Sequence, residues 1–85
     1  MSWAVVVDRY ARKYLKRIPR KDAYRIREML RELAYNPYAG DIEKIDGEKN
    51  AWRRRIGAYR ILYEVYDNKK LIYVSEIKRR TSSTY

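Results

Sequence analysis

The spacing of apolar residues divides the chain into a short strand, two helices and a run of strands. The apolar, β-branched segment 3–7 predicts a well-buried strand, and Asp8 after it is a typical helix N-cap. Apolar residues then recur at the i, i+3, i+4 and i+7 spacing of an amphipathic helix, which Pro19 is expected to end. The residues with this spacing are Ala11, Tyr14, Leu15 and Ile18.

A second amphipathic helix is predicted from about Asp22 to Tyr35, where Asn36 and Pro37 end it. Since only a few residues separate the two helices, we expect them to form a helical hairpin. The apolar stripe of the second helix consists of Ala23, Ile26, Leu30, Leu33 and Ala34.

Strands are predicted for the rest of the chain. A weak segment at 42–45 is followed by segments at 51–56, 59–66 and 71–78, with turns that contain Gly, Asp or Asn between them. This order predicts an α+β fold, in which an N-terminal strand and a helical hairpin precede an antiparallel strand meander packed on the helices. The length of the chain, 1–85, predicts a single domain.

Two features fit this pattern less simply. Alternation puts Arg54 on the core side of its strand, so we expect an edge position or an aliphatic stem that carries the guanidinium to water. The tyrosines, ten in a chain without phenylalanine, could stack on nucleic-acid bases. The simpler expectation is that most of them pack at the edge of the core with their hydroxyls in water. The tyrosines expected at the edge of the core are Tyr10, Tyr14, Tyr59, Tyr63 and Tyr73.

The net charge of +10 at pH 7 indicates a polyanionic partner, and nucleic acid is the leading candidate. A membrane surface is the competing polyanion. No segment approaches the roughly 18 apolar residues of a spanning helix, however, and the N-terminus lacks the apolar core of a signal peptide. We therefore expect a cytoplasmic protein without a membrane partner. The absence of Cys and His excludes disulfides, Cys/His zinc sites, thiol nucleophiles and imidazole acid–base catalysis, so we expect neither metal nor cofactor.

The basic residues include a candidate phosphate site. Alternation places Arg53 and Arg55 on one face of a strand, and the following turn can return Arg60 beside them. Guanidinium groups hold phosphate oxygens in pairs, so three of them on one patch predict phosphate binding. A second basic cluster, Lys78-Arg79-Arg80, lies near the C-terminal Tyr85.

The order of elements and three motifs resemble the RelE/ParE superfamily of bacterial and archaeal toxins. RelE-type members are ribosome-dependent endoribonucleases that cut mRNA in the ribosomal A site, whereas ParE-type members act on DNA gyrase and lack the basic and tyrosine set. The resemblance implies a RelE-like toxin of a type II toxin–antitoxin system, with mRNA, the ribosome and a cognate acidic antitoxin as partners. The motifs are the Asp46-Gly47 turn, the run Trp52-Arg53-x-Arg55-x-Gly57-x-Tyr59-Arg60-Ile61-x-Tyr63, and Lys78-Arg79 followed by a terminal tyrosine.

The resemblance also implies a catalytic set. Arg53 and Arg55 match two alternating basic positions, and Arg60 matches the arginine that follows the tyrosine. Arg79 and Tyr85 match the C-terminal arginine and tyrosine. This chain has arginine where the family has a lysine assigned as general base. Because the pKa of arginine is about 12.5 or higher, proton abstraction by arginine is a poor expectation.

The implied reaction needs no metal. RNA is cleaved when its 2′-hydroxyl attacks the adjacent phosphorus, so the protein must align the chain, move two protons and neutralise the phosphorane. Arg55 and Arg60 are the candidates for neutralising that charge. Tyr85 is the best available base, because neighbouring arginines favour its phenolate, and Glu64 ranks second. Arg79 could support the leaving group.

Other basic residues are expected to contact RNA, although solvated surface charge is the simplest interpretation of the helix faces. Two other functions stay open, a ParE-type inhibitor of DNA gyrase that is not a nuclease and a non-catalytic RNA-binding module. The residues expected to bind RNA are Lys13, Lys16 and Arg17 of the first helix and Lys78 and Arg80 near the C-terminus.

Overall fold

Residues 3–80, the part of the chain that this computed structural model describes, form a five-stranded sheet with two helices on one face. The strand order is β1-β5-β4-β3-β2, with β1 parallel to β5 and every other pair antiparallel. This arrangement confirms the predicted α+β fold. The elements are β1 (Ala4–Val7), α1 (Arg9–Arg17), α2 (Arg20–Tyr35), β2 (Ile42–Lys44), β3 (Ala51–Ile56), β4 (Tyr59–Tyr66) and β5 (Leu71–Arg79).

Local sequence sets the helix ends. The Asp8 carboxylate accepts a 2.9 Å hydrogen bond from the Tyr10 N–H, which confirms Asp8 as the N-cap of α1. Pro19 follows α1 and is itself the N-cap of α2, because its carbonyl accepts the first hydrogen bond of that helix, from the Ala23 N–H at 3.0 Å. For this reason α2 begins at Arg20, two residues before the predicted start at Asp22.

The core lies between the helices and one side of the sheet, here called the helix face. Alternate residues of β4 are buried there, as a strand period of two requires. Among residues 3–80, no helix covers the other side of the sheet, here called the open face. No helix within residues 3–80 is long and apolar enough to cross a membrane. The largest fully buried side chains of the core are Tyr63, Ile26, Leu33, Ile61, Ile72 and Val74.

The prediction that β1 is well buried is wrong. β1 is an edge strand that pairs only with β5, and Val5 and Val7 pack against the core. Val6 points to the open face and is 47% exposed. A strand that is covered on one side requires apolar residues only at alternate positions. The unbroken apolar run of β1 exceeds this requirement, and it does not mean that both faces of the strand are covered.

A register shift in β5 decides which of its residues reach the open face. Leu62 pairs with Glu76 but Tyr63 pairs with Val74, so Ser75 is the extra residue of a β-bulge. The Ser75 hydroxyl donates a 3.2 Å hydrogen bond to the Leu62 carbonyl. The bulge inverts the alternation, and beyond it odd-numbered residues of β5 face the helices.

The prediction of an edge position or a solvated stem for Arg54 is also wrong. β3 lies inside the sheet between β2 and β4, and the Arg54 side chain is only 11% exposed. Its guanidinium donates to the Glu32 carboxylate at 2.9 Å and to the Ala39 carbonyl at 3.2 Å. It passes so close to Gly40, which has φ +87°, that a Cβ at that position would lie 2.2 Å from Arg54 Cζ.

Three of the tyrosine hydroxyls expected in water are instead bound inside the protein. Tyr59 donates to Asp22 at 2.7 Å, Tyr63 to the Pro37 carbonyl at 2.8 Å and Tyr73 to Asp8 at 2.6 Å. Burial raises the pKa of Tyr63 to about 12. These phenols bridge the strands to the helices and loops, so they are structural groups of the fold.

Candidate active site

Three cations lie side by side across the open face. Arg55 of β3 is opposite Arg60 of β4, and Arg60 is opposite Lys78 of β5. Opposed residues on one face of an antiparallel pair have Cβ atoms about 5 Å apart. We call Arg55, Arg60 and Lys78 the cation row.

A tight turn makes the first half of this row possible. Gly57 and Ala58 connect β3 to β4, and Gly57 has φ +58°, a conformation that glycine adopts without strain. Because the turn is only two residues long, Arg55 and Arg60 are the second pair of the β3–β4 ladder. The predicted grouping of Arg53, Arg55 and Arg60 on one face is therefore what the register produces, with Arg53 one step further along, opposite Leu62.

The arginines of the patch differ in their neighbours. Arg53 Nε lies 3.4 Å from a Glu43 carboxylate oxygen, and Arg55 Nη1 lies 3.9 Å from an Asp41 carboxylate oxygen. Within residues 3–80, no carboxylate oxygen lies within 4.0 Å of the Arg60 guanidinium. The Nε–H groups of Arg53, Arg54 and Arg60 are all buried and have no hydrogen-bond acceptor among the described residues. The terminal Nη groups of Arg60 make no ion pair within residues 3–80, so these are the donors that an external acceptor can use.

Arg79 lies on the other side of the sheet. It pairs with Tyr59, whose side chain is buried on the helix face, and its Cζ lies 5.6 Å from the centre of the Tyr59 ring. The hydrogen bond from Tyr59 to Asp22 raises the pKa of this phenol and holds the ring in place. The structure does not bring Arg79 to the cation row, and Lys78 takes that position because of the bulge.

The remaining predicted residues are distributed over the molecule. Arg80 is exposed, and its guanidinium donates at 3.3 Å to the Gly57 carbonyl, so it braces the β3–β4 turn. Tyr85 lies outside the described residues. The basic residues of α1, which are exposed in the helical layer away from the open face, are Lys13, Lys16 and Arg17.

Glu64, the second candidate base, lies far from the cation row. It is four residues beyond Arg60 on β4, about 13 Å along the strand. It accepts a hydrogen bond from Tyr66, and that bond raises the pKa of the Tyr66 phenol. Glu76, opposite Leu62, is one register step closer to the row, and sequence reasoning did not single it out. No cluster of three or more Asp, Glu, His or Cys side chains within residues 3–80 is arranged to hold a metal ion.

Sequence reasoning also missed the acidic neighbours of the patch. Asp41 and Glu43 alternate around Ile42 just as Arg53 and Arg55 alternate around Arg54. This Asp-x-Glu spacing was the available signal, but the pairing of β2 with β3 is needed to show that the two sets meet.

The open face is chemically suited to an anion with several oxygens. Like charges directly opposite each other in a sheet destabilise it, so the cation row has a cost that a bound anion would remove. Guanidinium groups bind phosphate oxygens in pairs, and an ammonium group adds a compact positive charge beside them. Arg55 and Lys78 are exposed and Arg60 is partly exposed, so an extended polyanion can reach the row from solvent.

Comparisons with known proteins lead to toxins that are named either ParE or RelE. The family described as "ParE toxin of type II toxin-antitoxin system, parDE" matches residues 5–83. The curated RelE1 toxin of Methanocaldococcus jannaschii is 29% identical over 83 residues, which cover 94% of this chain and 92% of that protein.

Solved structures agree with this match. The archaeal RelE–RelB complex of Pyrococcus horikoshii contains a chain that is 27% identical, with a TM-score of 0.86 over 98% of this chain and 100% of that one. The isolated E. coli RelE toxin has a TM-score of 0.82 at 20% identity, over 96% of this chain and 88% of that one, a likeness that concerns the fold.

Proposed function

This chain belongs to the ParE/RelE family of toxins of type II toxin–antitoxin systems, and we propose that it is a ribosome-dependent mRNA endoribonuclease of the RelE type. In this proposal it inhibits translation in the cytoplasm by cutting mRNA through metal-free attack of a 2′-hydroxyl. The observation that supports it most is the cation row, in which Arg60 lies between Arg55 and Lys78 without a carboxylate partner among residues 3–80.

The row matches the charge that the reaction develops. Attack of the 2′-oxygen on phosphorus gives a phosphorane whose non-bridging oxygens carry extra negative charge in the transition state. Arg55 and Arg60 are assigned to these oxygens, because preorganised donors stabilise developing charge without reorganisation. The P–O5′ bond then breaks, and the departing 5′-oxygen receives a proton. We assign Lys78 to this oxygen in place of Arg79, because Lys78 shares the open face with Arg60.

The base that takes the 2′-hydroxyl proton is assigned to Tyr85. Glu64, about 13 Å along β4 from Arg60, is too far from the cation row to remain the second candidate. The described phenols of the open face are weaker candidates, because hydrogen bonds to carboxylates raise the pKa of Tyr66 and of Tyr73. A phenol with a raised pKa is a phenolate less often at neutral pH. Tyr85→Phe tests the assignment directly, since it removes the ionisable hydroxyl and keeps a ring that can stack on a base.

The arrangement of the basic residues supports dependence on the ribosome. A row of cations on an open sheet face attracts RNA but does not by itself hold a flexible strand in line for attack. The basic residues of α1 lie in the helical layer, on the opposite side from the row, and the molecule is 22 Å across in its smallest dimension. A partner that contacts both layers must be large, as ribosomal RNA is, and its binding should weaken steeply with salt.

An acidic antitoxin is the proposed protein partner. The RelE of Pyrococcus horikoshii was solved as a complex with RelB, and this chain has a net charge of +10 that an acidic segment would complement. We expect co-expression of the cognate antitoxin to restore growth, and we expect the purified complex to leave ribosome-bound mRNA intact.

Mapping of 5′ ends on mRNA, free and held on ribosomes, tests the proposal. We expect cleavage mainly on ribosomes, with 5′-hydroxyl ends and 2′,3′-cyclic phosphate or 3′-phosphate ends, and with no loss when EDTA is added under conditions that keep ribosomes intact. Equal rates on free and bound mRNA would contradict ribosome dependence. Products with 5′-phosphates would indicate metal-activated water instead.

The second candidate is a gyrase inhibitor of the ParE type, because the family that matches residues 5–83 is described as a ParE toxin. Its signature would be altered plasmid supercoiling in cells whose mRNA stays intact. Binding of RNA without cleavage or growth arrest would leave the plain RNA-binding module.

A further inference from the structure

The short strand β2 places two carboxylates against two arginines of the open face. Glu43 is opposite Arg53 in the β2–β3 ladder, and the Asp41 carbonyl accepts a 3.1 Å hydrogen bond from the Arg55 N–H. Backbone pairing thus fixes where both acidic residues lie. The two groups line a polar cleft of about 300 Å³ on this side of the sheet.

The two contacts are close enough for attraction and loose enough to be replaced. The carboxylate oxygens lie 3.4 Å from Arg53 Nε and 3.9 Å from Arg55 Nη1, and the Glu43 and Asp41 side chains are 72% and 69% exposed. Exposed ion pairs of this kind are worth only about 0.2–1 kcal/mol. A phosphate, which offers oxygens to the same guanidinium groups, can therefore displace them.

We propose that Asp41 and Glu43 form an electrostatic screen that competes with RNA phosphate for Arg53 and Arg55 and so lowers the affinity of the toxin for free RNA. The inference rests on the proposed function and deepens it, since it assigns substrate discrimination to two residues beside the cleavage site. The Nη groups of Arg60, which has no carboxylate neighbour among residues 3–80, stay available for the phosphate under attack.

The screen gives the ribosome its advantage as a substrate. A free single strand must displace both carboxylates with the attraction of its own few phosphates. A message bound in a ribosome is presented together with ribosomal RNA, whose phosphates add attraction from outside the site. The same small penalty raises both dissociation constants by the same factor, but the tighter complex with the ribosome stays saturated at toxin concentrations where free RNA is no longer bound.

Binding of an uncleavable RNA separates this inference from catalysis. The probe is a fluorescein-labelled single-stranded RNA with 2′-O-methyl groups, titrated with the purified toxin by fluorescence anisotropy at several salt concentrations. The test variants are Asp41→Asn, Glu43→Gln and their combination. The matched control is Glu28→Gln, which also removes one negative charge beside an arginine, Arg31 at 2.8 Å, but does so on α2.

We expect the dissociation constant of the uncleavable RNA to fall by about 1.5- to 5-fold for each test substitution at low salt. The slope of log affinity against log salt should steepen by up to about 0.7 for each arginine released. The control should match the wild type. With cleavable RNA, the double variant should cut free message faster while its rate on saturating ribosomes stays near that of the wild type.

Unchanged or weakened RNA binding in the double variant would overturn the screen, and weakened binding would indicate that the carboxylates contact RNA directly. Failure of the proposed function looks different. A wild-type protein that never cleaves ribosome-bound mRNA contradicts the nuclease, whereas the anisotropy comparison still decides the screen. Thermal unfolding of each variant checks the fold, which these exposed, isosteric changes should leave intact.

Discussion

The two faces of this sheet treat polar side chains in opposite ways. On the helix face, Arg54, Tyr59 and Tyr63 each end on a hydrogen-bond acceptor within the fold. On the open face, Arg60 and Lys78 lie directly opposite each other, and no described carboxylate oxygen is within 4.0 Å of either. The helix face shows what stability requires, which is a partner for most buried polar groups, although the Arg54 Nε–H is buried without one. The open face keeps like charges together at a cost in stability, which is the arrangement expected where the partner is an external anion.

Loss of the central arginines should have the largest effect on function and little effect on the fold. We expect Arg55→Ala and Arg60→Ala each to slow single-turnover cleavage of ribosome-bound mRNA by about 10²-fold or more, because each removes a preorganised donor to the phosphorane. Ribosome affinity and thermal unfolding should stay near the wild-type values. Wild-type cleavage in both variants would show that the open face is not the active site.

Lys78 and Arg79 are adjacent in β5 but lie on opposite faces of the sheet, so their variants test the two faces separately. Lys78→Ala should slow cleavage by about 10- to 100-fold if the ammonium group supports the leaving oxygen. Arg79→Ala should leave the rate near wild type and lower the unfolding free energy by about 0.5–1 kcal/mol through loss of the contact with Tyr59. The reverse pattern would support the catalytic assignment of Arg79 that the family resemblance implies.

Arg54 provides the complementary test on the helix face. We expect Arg54→Ala to lower the unfolding free energy in urea by about 2 kcal/mol, because a charge-assisted hydrogen bond to Glu32 and a bond to Ala39 are lost. Cleavage by the protein that remains folded should be close to normal. Arg54→Met, which keeps the apolar stem, should cost less than the alanine variant. Loss of cleavage in Arg54→Ala without loss of stability would contradict a purely structural role for Arg54.

Loss of the buried Tyr63 hydroxyl should lower stability less than loss of Arg54, and the size of this effect depends on pH. Its pKa is about 12 in the folded chain against 10.0 ordinarily, so the unfolded state releases its proton first. The contribution to stability is thus complete below pH 10 and is lost as the pH rises through 12. Tyr63→Phe should cost about 1 kcal/mol at neutral pH through loss of the bond to Pro37. The difference between wild type and variant should shrink in alkaline urea titrations, and a constant difference up to pH 12 would contradict the shifted pKa.

Local patterns accounted for most of the architecture. The predicted strand bounds 51–56 and 59–66 are those of β3 and β4, and the Asp8 cap, the end of α2 at Tyr35 and the helical hairpin also agree. These features depend on residues within a few positions of one another, so spacing alone contains them. The grouping of Arg55 with Arg60 belongs to the same class, because a two-residue turn joins their strands.

Partners distant in the chain were beyond this kind of reasoning. Glu32 is 22 residues from Arg54, and Asp22 is 37 residues from Tyr59. No periodicity of the sequence connects these pairs of residues. The sequence alone therefore predicts that the Arg54 guanidinium and the Tyr59 hydroxyl are in water. The sequence alone does not show that Asp41 and Glu43 lie beside the arginines, because this depends on which strand pairs with β2.

The sequence by itself determined the order of elements, the helix stripes, the excess of positive charge and the alternation that puts Arg53 and Arg55 on one side of β3. Each follows from chain geometry at short range or from composition. Only the tertiary structure decided that Lys78 rather than Arg79 faces Arg60. Strict alternation from Ile72 and Val74 would put Arg79 on the open face, and the extra residue Ser75 inverts that order. A bulge forms where two strands must both pair and pack, so its position is set by the neighbouring strand and the core.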